Sequence, residues 1–473
     1  MRTRSVAATS RRLSAAPAGR ARLGWRVLAA YAAPAFSQTM IHGPTGSVIQ
    51  GVYAKYFGVS LQSIATVLLV ASVFDATASP VAGYLSDRHC ARGGTRRPWL
   101  LGGSLFSVVA CWFLFAPTPP VTVWYFGAWL LLTYAGWATA EVPYAAWMAE
   151  ITTDYDERTR LATWRGVAMY GGAMAFAAIP YLPIFPTSEF TPASLRWTAI
   201  LAAVALPLFS TIAVLKVPAG GTEAVAGVQR DAWRGVVGNP PLLRFALLFF
   251  LYNLASGVMN GVMFFYIDSH LHLGAFMAGL FLLTLPLGAL AVPLWGSLCR
   301  RFGKQRAWAA GAAGGALATL LFIAVPVGPA GTIWLAAVQV LMILVYAGFP
   351  VAAPAVLADV IDYGRLRFGV DYAGTYFAIY NVMYKAVPGF GAALAIALIG
   401  FGGFDARIVE QSSSGTFALL ATFCGIPALL LAVVAPLLWY FPIDARRQRI
   451  IVARLARREA RAHRTAPTPL PSP

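Results

Sequence analysis

The chain has 473 residues, of which 59% are hydrophobic and 11% charged, with a mean hydropathy of +0.66. A soluble protein of this length cannot hide so large an apolar share, so the solvent is lipid. The formal charge of +18 does not mark a nucleic-acid binder, because the 36 Lys and Arg residues punctuate apolar segments and fill both tails instead of gathering on one polar module.

Residues 1–23 form a basic arm. After it, at roughly 20 apolar residues per span, the pattern predicts twelve transmembrane helices centred near residues 37, 72, 107, 135, 172, 206, 255, 286, 317, 345, 386 and 428. The protein is therefore expected to be an all-α integral membrane protein. Arg20, Arg22 and Arg26 precede the first span and no small-residue cleavage site ends it, so it reads as a retained helix carrying Gln38, Thr39 and His42. The second span places Asp75 in an apolar helix, with Ser72 and Ser79 on the same face. An acid at such depth costs at least about 2.5–3.5 kcal/mol, so it points to a substrate or ion path. This span ends in Pro80-x-x-Gly83-x-Leu85-x-Asp87-Arg88, followed by Arg96-Arg97-Pro98-Trp99.

The fourth span carries Trp137 and, one turn later, Glu141 before Pro143 and Tyr144; the fifth carries Arg165. Residues 218–241, with Gly220-Gly221 and Asn239-Pro240-Pro241, read as a linker between six spans (24–217) and six more (242–442). The eleventh span holds Asn381 and Lys385, and residues 443–473 form a basic, Pro-rich tail with an interfacial stretch from Arg446 to Arg464. Two acids and two cations from four spans sum to zero charge, which makes their burial tolerable.

An internal repeat supports the division. Pro80-x-x-Gly83-x-Leu85-x-x-Arg88 recurs as Pro293-x-x-Gly296-x-Leu298-x-x-Arg301, and each copy is followed by Arg-x-Trp, at Arg97 and Trp99 and at Arg306 and Trp308. Ala149-Glu150 with Asp154-Tyr155 is echoed by Ala358-Asp359 with Asp362-Tyr363. Two pseudo-symmetric six-helix bundles with a site between them are expected. Alternate connections are rich in Lys and Arg, whereas the intervening ones offer only Lys55, Arg196 and Arg407, so both termini are expected in the cytoplasm and the chain in the plasma membrane.

Cation coupling is assigned to Asp75, Glu141, Ser79 and Lys385. Glu141, Arg165, Lys385, Trp137, Asn381, Gln38 and Thr39 are the candidate substrate ligands. Asp87, Arg88, Arg97, Glu150, Asp154, Arg158, Asp359 and Asp362 form a candidate cytoplasmic gate. The scattered Cys90, Cys111, Cys299 and Cys424 suit neither a metal site nor a disulfide framework, and no cofactor is expected beyond a coupling proton or sodium ion.

Three segments together, Phe74-Asp75-Ala76 to Arg97-Pro98-Trp99, Glu141-Val-Pro143-Tyr144 to Glu157-Arg158, and Ala358-Asp359-Val-Ile-Asp362-Tyr363, resemble the glycoside-pentoside-hexuronide:cation symporters of the major facilitator superfamily. The resemblance implies the major facilitator fold and alternating-access symport of a glycoside or related polar solute. It implies that Asp75 is the second-helix cation carboxylate, Glu141 an acid shared between cation and sugar, Arg165 a sugar-contacting arginine and Lys385 a lysine near the cation site. Ser79 stands where the family pattern has a second acid, neutral Gln38 or Thr39 where it has a first-helix acid, and Ala145 where it has an aromatic. An amphipathic solute such as a lysolipid or organic anion is the alternative substrate, and a non-transporting membrane sensor the alternative class. The expected partners are a small-molecule substrate and the lipid bilayer, with no nucleic acid, and the expected state is a monomer.

Overall fold

The structure is a computed structural model that describes residues 22–152, 154–219, 232–408 and 410–465. Most of the basic arm, the middle of the 218–241 linker and the last eight residues lie outside the described residues. All regular elements among those described are helical. The long ones are α1 (Trp25–Ser47, extended by Ile49–Phe57), α2 (Leu61–Ala91), α3 (Arg97–Phe115), α4 (Val123–Ile151), α5 (Tyr155–Ala178) and α6 (Pro192–Lys216) in the first half. The second half contains α7 (Pro240–His270), α8 (Gly274–Phe302), α9 (Lys304–Ala324), α10 (Gly331–Phe368), α11 (Ala373–Phe401) and α12 (Ser413–Trp439). The tail helix α13 (Ala445–Thr465) follows.

Local chemistry sets the helix starts. Side chains of Ser60, Thr122, Asp154, Thr191, Asn239 and Ser412 accept the N-terminal backbone N–H groups of α2, α4, α5, α6, α7 and α12. Pro80, Pro143, Pro293 and Pro388 sit inside helices, where neighbouring helices can satisfy the carbonyls they free.

Nine helical segments among the described residues are long and apolar enough to cross a membrane on composition. The three other long helices of the bundle are α1, α4 and α5, and these carry Gln38 and His42, Glu141, and Arg165.

Helices pair in the same pattern in both halves. α1 packs on α5 and α6 as α7 packs on α11 and α12; α2 on α4 as α8 on α10; α3 on α6 as α9 on α12. Close approach depends on glycine at one equivalent contact in each half. A Cβ at Gly172 of α5 would lie 2.0 Å from the Phe36 carbonyl oxygen of α1, and one at Gly257 of α7 would lie 2.2 Å from that of Pro388 on α11. Across the middle, α2 meets α11 and α5 meets α8.

The apolar core is asymmetric along the bundle. At the end carrying Lys55, Arg196 and Arg407, one cluster runs through both halves, from Met40 and Val52 of α1 to Phe264 and Ile396 of α7 and α11. At the basic end the cores separate. Leu28, Tyr31, Tyr144 and Trp147 belong to one half, and Phe249, Tyr252, Trp308 and Val360 to the other. The halves are therefore joined at one end and parted at the basic end.

Candidate functional site

Helix geometry assembles the site. Tyr31, Gln38 and His42 share a face of α1, and Trp137, Glu141 and Tyr144 share a face of α4. The helices run in opposite directions, so Tyr31 meets Tyr144 and His42 meets Trp137. The Tyr31 hydroxyl donates to the Tyr144 carbonyl at 3.2 Å, the Tyr144 hydroxyl donates to the Tyr31 carbonyl, and the rings lie 4.9 Å apart. The His42 ring stacks on Trp137 at 4.2 Å with a 16° interplanar angle. Between these two contacts lie Gln38 and Glu141.

Glu141 is ion-paired to Arg165, whose guanidinium also lies 5.0 Å over the Tyr144 ring. Arg165 Nε is buried without a hydrogen-bond partner among the described residues. Gln38 is 2% exposed, and among the described residues both polar atoms of its amide lack partners. Such a buried amide carries a cost of about 1–3 kcal/mol until something bonds to it. Thr39 is different: its hydroxyl donates to the Ala35 carbonyl of its own helix at 2.9 Å. Of the two first-helix candidates, Gln38 is the one with free bonding capacity.

Asp75 is buried, and among the described residues its Oδ1 has no hydrogen-bond partner. It lies within electrostatic reach of His42, Tyr134 and, through His42, of the same cluster as Lys385. The Lys385 ammonium crosses from α11 and donates to Ser79 Oγ at 3.0 Å, so the one hydroxyl a turn after Asp75 is already engaged. Asn381 is exposed one turn before Lys385.

Beside Lys385, Tyr380 and Tyr384 stack at 6.1 Å with an 8° angle, and Tyr384 remains half exposed near Tyr170 of α5. These tyrosines were missed in the sequence, where ordinary helix packing predicts the same pattern. Trp137, the aromatic expected to stack on substrate, has one face covered by His42.

The basic-end cluster differs from expectation in its hub. Arg96, not Arg97, joins the acids: its Nε donates to Glu150 at 2.6 Å, Nη2 to Asp87 at 2.7 Å and Nη1 to Ser86 Oγ at 3.0 Å. Burial would lower the Arg96 guanidinium, but the bonds to Asp87 and Glu150 outweigh it and hold it above its ordinary value. Arg97 turns away, donating to the Val217 carbonyl at 2.5 Å and lying 6.0 Å over Trp147. Arg158 closes α4 through the Thr152 and Ala149 carbonyls at 2.8 and 3.0 Å, Asp154 caps α5, and Arg88 is exposed.

In the other half, Asp359 pairs with Lys304 at 2.6 Å, whereas Asp362 accepts from Gln448 Nε2 of α13 at 2.8 Å. The ion pairs described at this end each stay within one half. Among the described residues, the ion pair that crosses between halves is at the opposite end, where Lys55 Nζ donates to both Asp268 oxygens at 2.8 and 2.9 Å.

Replacing Arg96 by Gln is expected to destabilise the protein by about 2–4 kcal/mol, short of a fully buried pair because Asp87 is half exposed. Arg97→Gln is expected to cost about 1 kcal/mol. Thermal melting of both variants in one detergent checks the ranking.

A family profile described as MFS/sugar transport protein matches residues 30–445. The chain belongs to that family. The MFS/sugar transport chain is similar to the glucuronide carrier protein homolog of Escherichia coli (strain K12), at 23% identity over 453 residues, covering 92% of this chain and 96% of that protein. It is also similar to the inner membrane symporter YicJ of the same organism, at 27% identity over 437 residues, covering 86% and 90%.

Among solved structures, the inward-open xylose transporter XylE from E. coli aligns with a TM-score of 0.62 at 14% identity, covering 91% of this chain and 98% of that one. That likeness establishes the major facilitator fold. This family member is a multi-pass membrane transporter of a small molecule and not an enzyme, and its relatives link the family to ion coupling.

Proposed function

We propose that the protein is a proton-coupled symporter that imports a glycoside or a closely related polar solute by alternating access. The observation that carries this reading is the buried set at one depth: an unbonded Gln38 amide beside the Glu141–Arg165 pair, with Asp75 and Lys385 next to it. Amide and charged groups suit the hydroxyl edges of a sugar, and the exposed Tyr384 face suits its ring face.

The similarity to a glucuronide carrier homolog supports the solute class. A proton is favoured over sodium by the chemistry around Asp75. A small hard cation needs several oxygen ligands, but here a single carboxylate is available and the adjacent Ser79 oxygen already accepts from an ammonium group. Asp75 Oδ1 is the atom that the proton satisfies.

In this reading, residues 24–217 and 242–442 rock as two units, the protein acts as a monomer, and the basic end with both termini faces the cytoplasm. The joined core and the Lys55–Asp268 pair then make this the state closed to the outside and open to the cytoplasm.

The test is uptake of radiolabelled glucuronides and pentose glycosides into proteoliposomes under an imposed proton gradient, a sodium gradient or neither. Accumulation with the proton gradient alone supports the proposal, and accumulation with sodium alone overturns the ion assignment. The weaker alternative, an amphipathic solute such as a lysolipid or organic anion, would appear as competition by lysolipids but not by glycosides.

A further inference from the structure

Three arginines meet at the basic end in a place the transport site does not use. A cavity of about 450 Å³ lies where the start of α7, the end of α10 and the tail helix α13 converge. Arg244 of α7 and Arg447 and Arg454 of α13 line it, over an apolar floor that includes Pro241, Leu366 and Ile451. Among the described residues, no carboxylate lines it. Two described acids close in sequence to the lining are engaged: Asp444 accepts the Arg447 backbone N–H at 2.7 Å, and Asp362 accepts from Gln448. Arg447 also donates to the Pro442 carbonyl at 2.5 Å, which leaves the rest of its guanidinium for the cavity.

Three guanidinium groups around one cavity repel one another unless an anion sits among them. The setting selects the kind of anion. Pro240 opens α7 and Pro442 follows the end of α12, so the cavity lies level with the ends of the spans. Ile450 of α13, which lines the cavity, is exposed and carries its apolar surface outward. A phosphate on the arginines would thus have apolar surface directly beside it.

We propose that this cavity binds the headgroup of an anionic glycerophospholipid, which fastens α13 across the second half. The lipid phosphate bonds to Arg244, Arg447 and Arg454, and its acyl chains leave along the Pro241 and Ile450 side. This makes α13 a strap whose docking depends on lipid, distinct from a helix merely drawn to a charged surface.

The test uses the purified full chain in a neutral detergent, where no anionic surface exists. Native mass spectrometry counts retained lipid after addition of phosphatidylglycerol or phosphatidylcholine, with glycerol 3-phosphate and inorganic phosphate as competitors. One phosphatidylglycerol should be retained in preference to phosphatidylcholine. At about 1 kcal/mol per basic residue, the triple variant Arg244→Gln, Arg447→Gln, Arg454→Gln should weaken retention about a hundredfold.

The matched variant Arg446→Gln, Arg449→Gln, Arg457→Gln removes the same charge from exposed positions outside the cavity and should change retention less than about twofold. Lipid-free melting of both variants reports whether they fold. Equal loss in the two triples, or equal retention of the two lipids, overturns the proposal. Displacement of phosphatidylglycerol by glycerol 3-phosphate or inorganic phosphate at equal concentration would reassign the cavity to a soluble anion and also overturns it.

Discussion

Asp75→Asn is expected to abolish uphill accumulation while leaving downhill exchange of substrate measurable. The substitution keeps the side-chain size and removes only the group that can take up a proton at Oδ1, the buried oxygen without a donor. Coupling requires that proton and substrate each raise the other's affinity by the same factor, commonly 5–150-fold, about 1–3 kcal/mol. With Asn, the site is fixed in a neutral form and the proton gradient has nothing to act on. Apparent substrate affinity should then become independent of external pH.

Glu141→Gln should behave differently. It leaves Arg165 without its ion-pair partner and so should weaken substrate binding itself as well as coupling. Proteoliposome uptake against a gradient, compared with equilibrium counterflow in the same preparation, separates the two. Retention of proton-driven accumulation by Asp75→Asn would remove Asp75 from the coupling role.

Much of this organisation was legible in the sequence because membrane helices leave strong local signals. A charge inside an apolar run is costly enough to be informative alone, which is why Asp75, Glu141, Arg165 and Lys385 stood out. The paired Pro-x-x-Gly motifs carry the internal symmetry in the sequence itself. What stayed hidden depended on direction and distance.

Arg96 and Arg97 are neighbours in sequence, but adjacent helix positions differ by about 100° in direction, so only the turn between α2 and α3 decides which reaches Asp87. The choice between Gln38 and Thr39 is of the same kind. Thr39 bonds to its own helix, whereas the Gln38 amide has no partner among the described residues. Tyr384 and the cover that His42 places on Trp137 depend on packing between helices, which leaves no mark in spacing. Lys55 and Asp268 are 213 positions apart, and their meeting depends on how the two halves sit against each other.

That pair carries the second large prediction. Lys55→Ala is expected to shift the protein toward a state open at the end opposite the basic connections. The Asp268 side chain is only 6% exposed, and without Lys55 it must either stay desolvated with Glu189 nearby or reach water by parting the halves. Breaking a fully buried pair costs about 3–5 kcal/mol; since Lys55 is 30% exposed, about 2 kcal/mol is the fitting figure. At 1.4 kcal/mol per factor of ten, that is a shift of about 30-fold in the balance of states.

Asp268→Asn should shift it less, because the group left behind is a lysine that reaches solvent. Spin labels at Tyr56→Cys and Ile408→Cys, two exposed positions flanking the pair from opposite halves, would report the opening as a longer distance. The exchange Lys55→Asp with Asp268→Lys should restore the shorter distance if the pair acts as an electrostatic latch. If the single and exchanged variants keep the wild-type distance, closure rests on the apolar packing around Val52 and Phe264 alone.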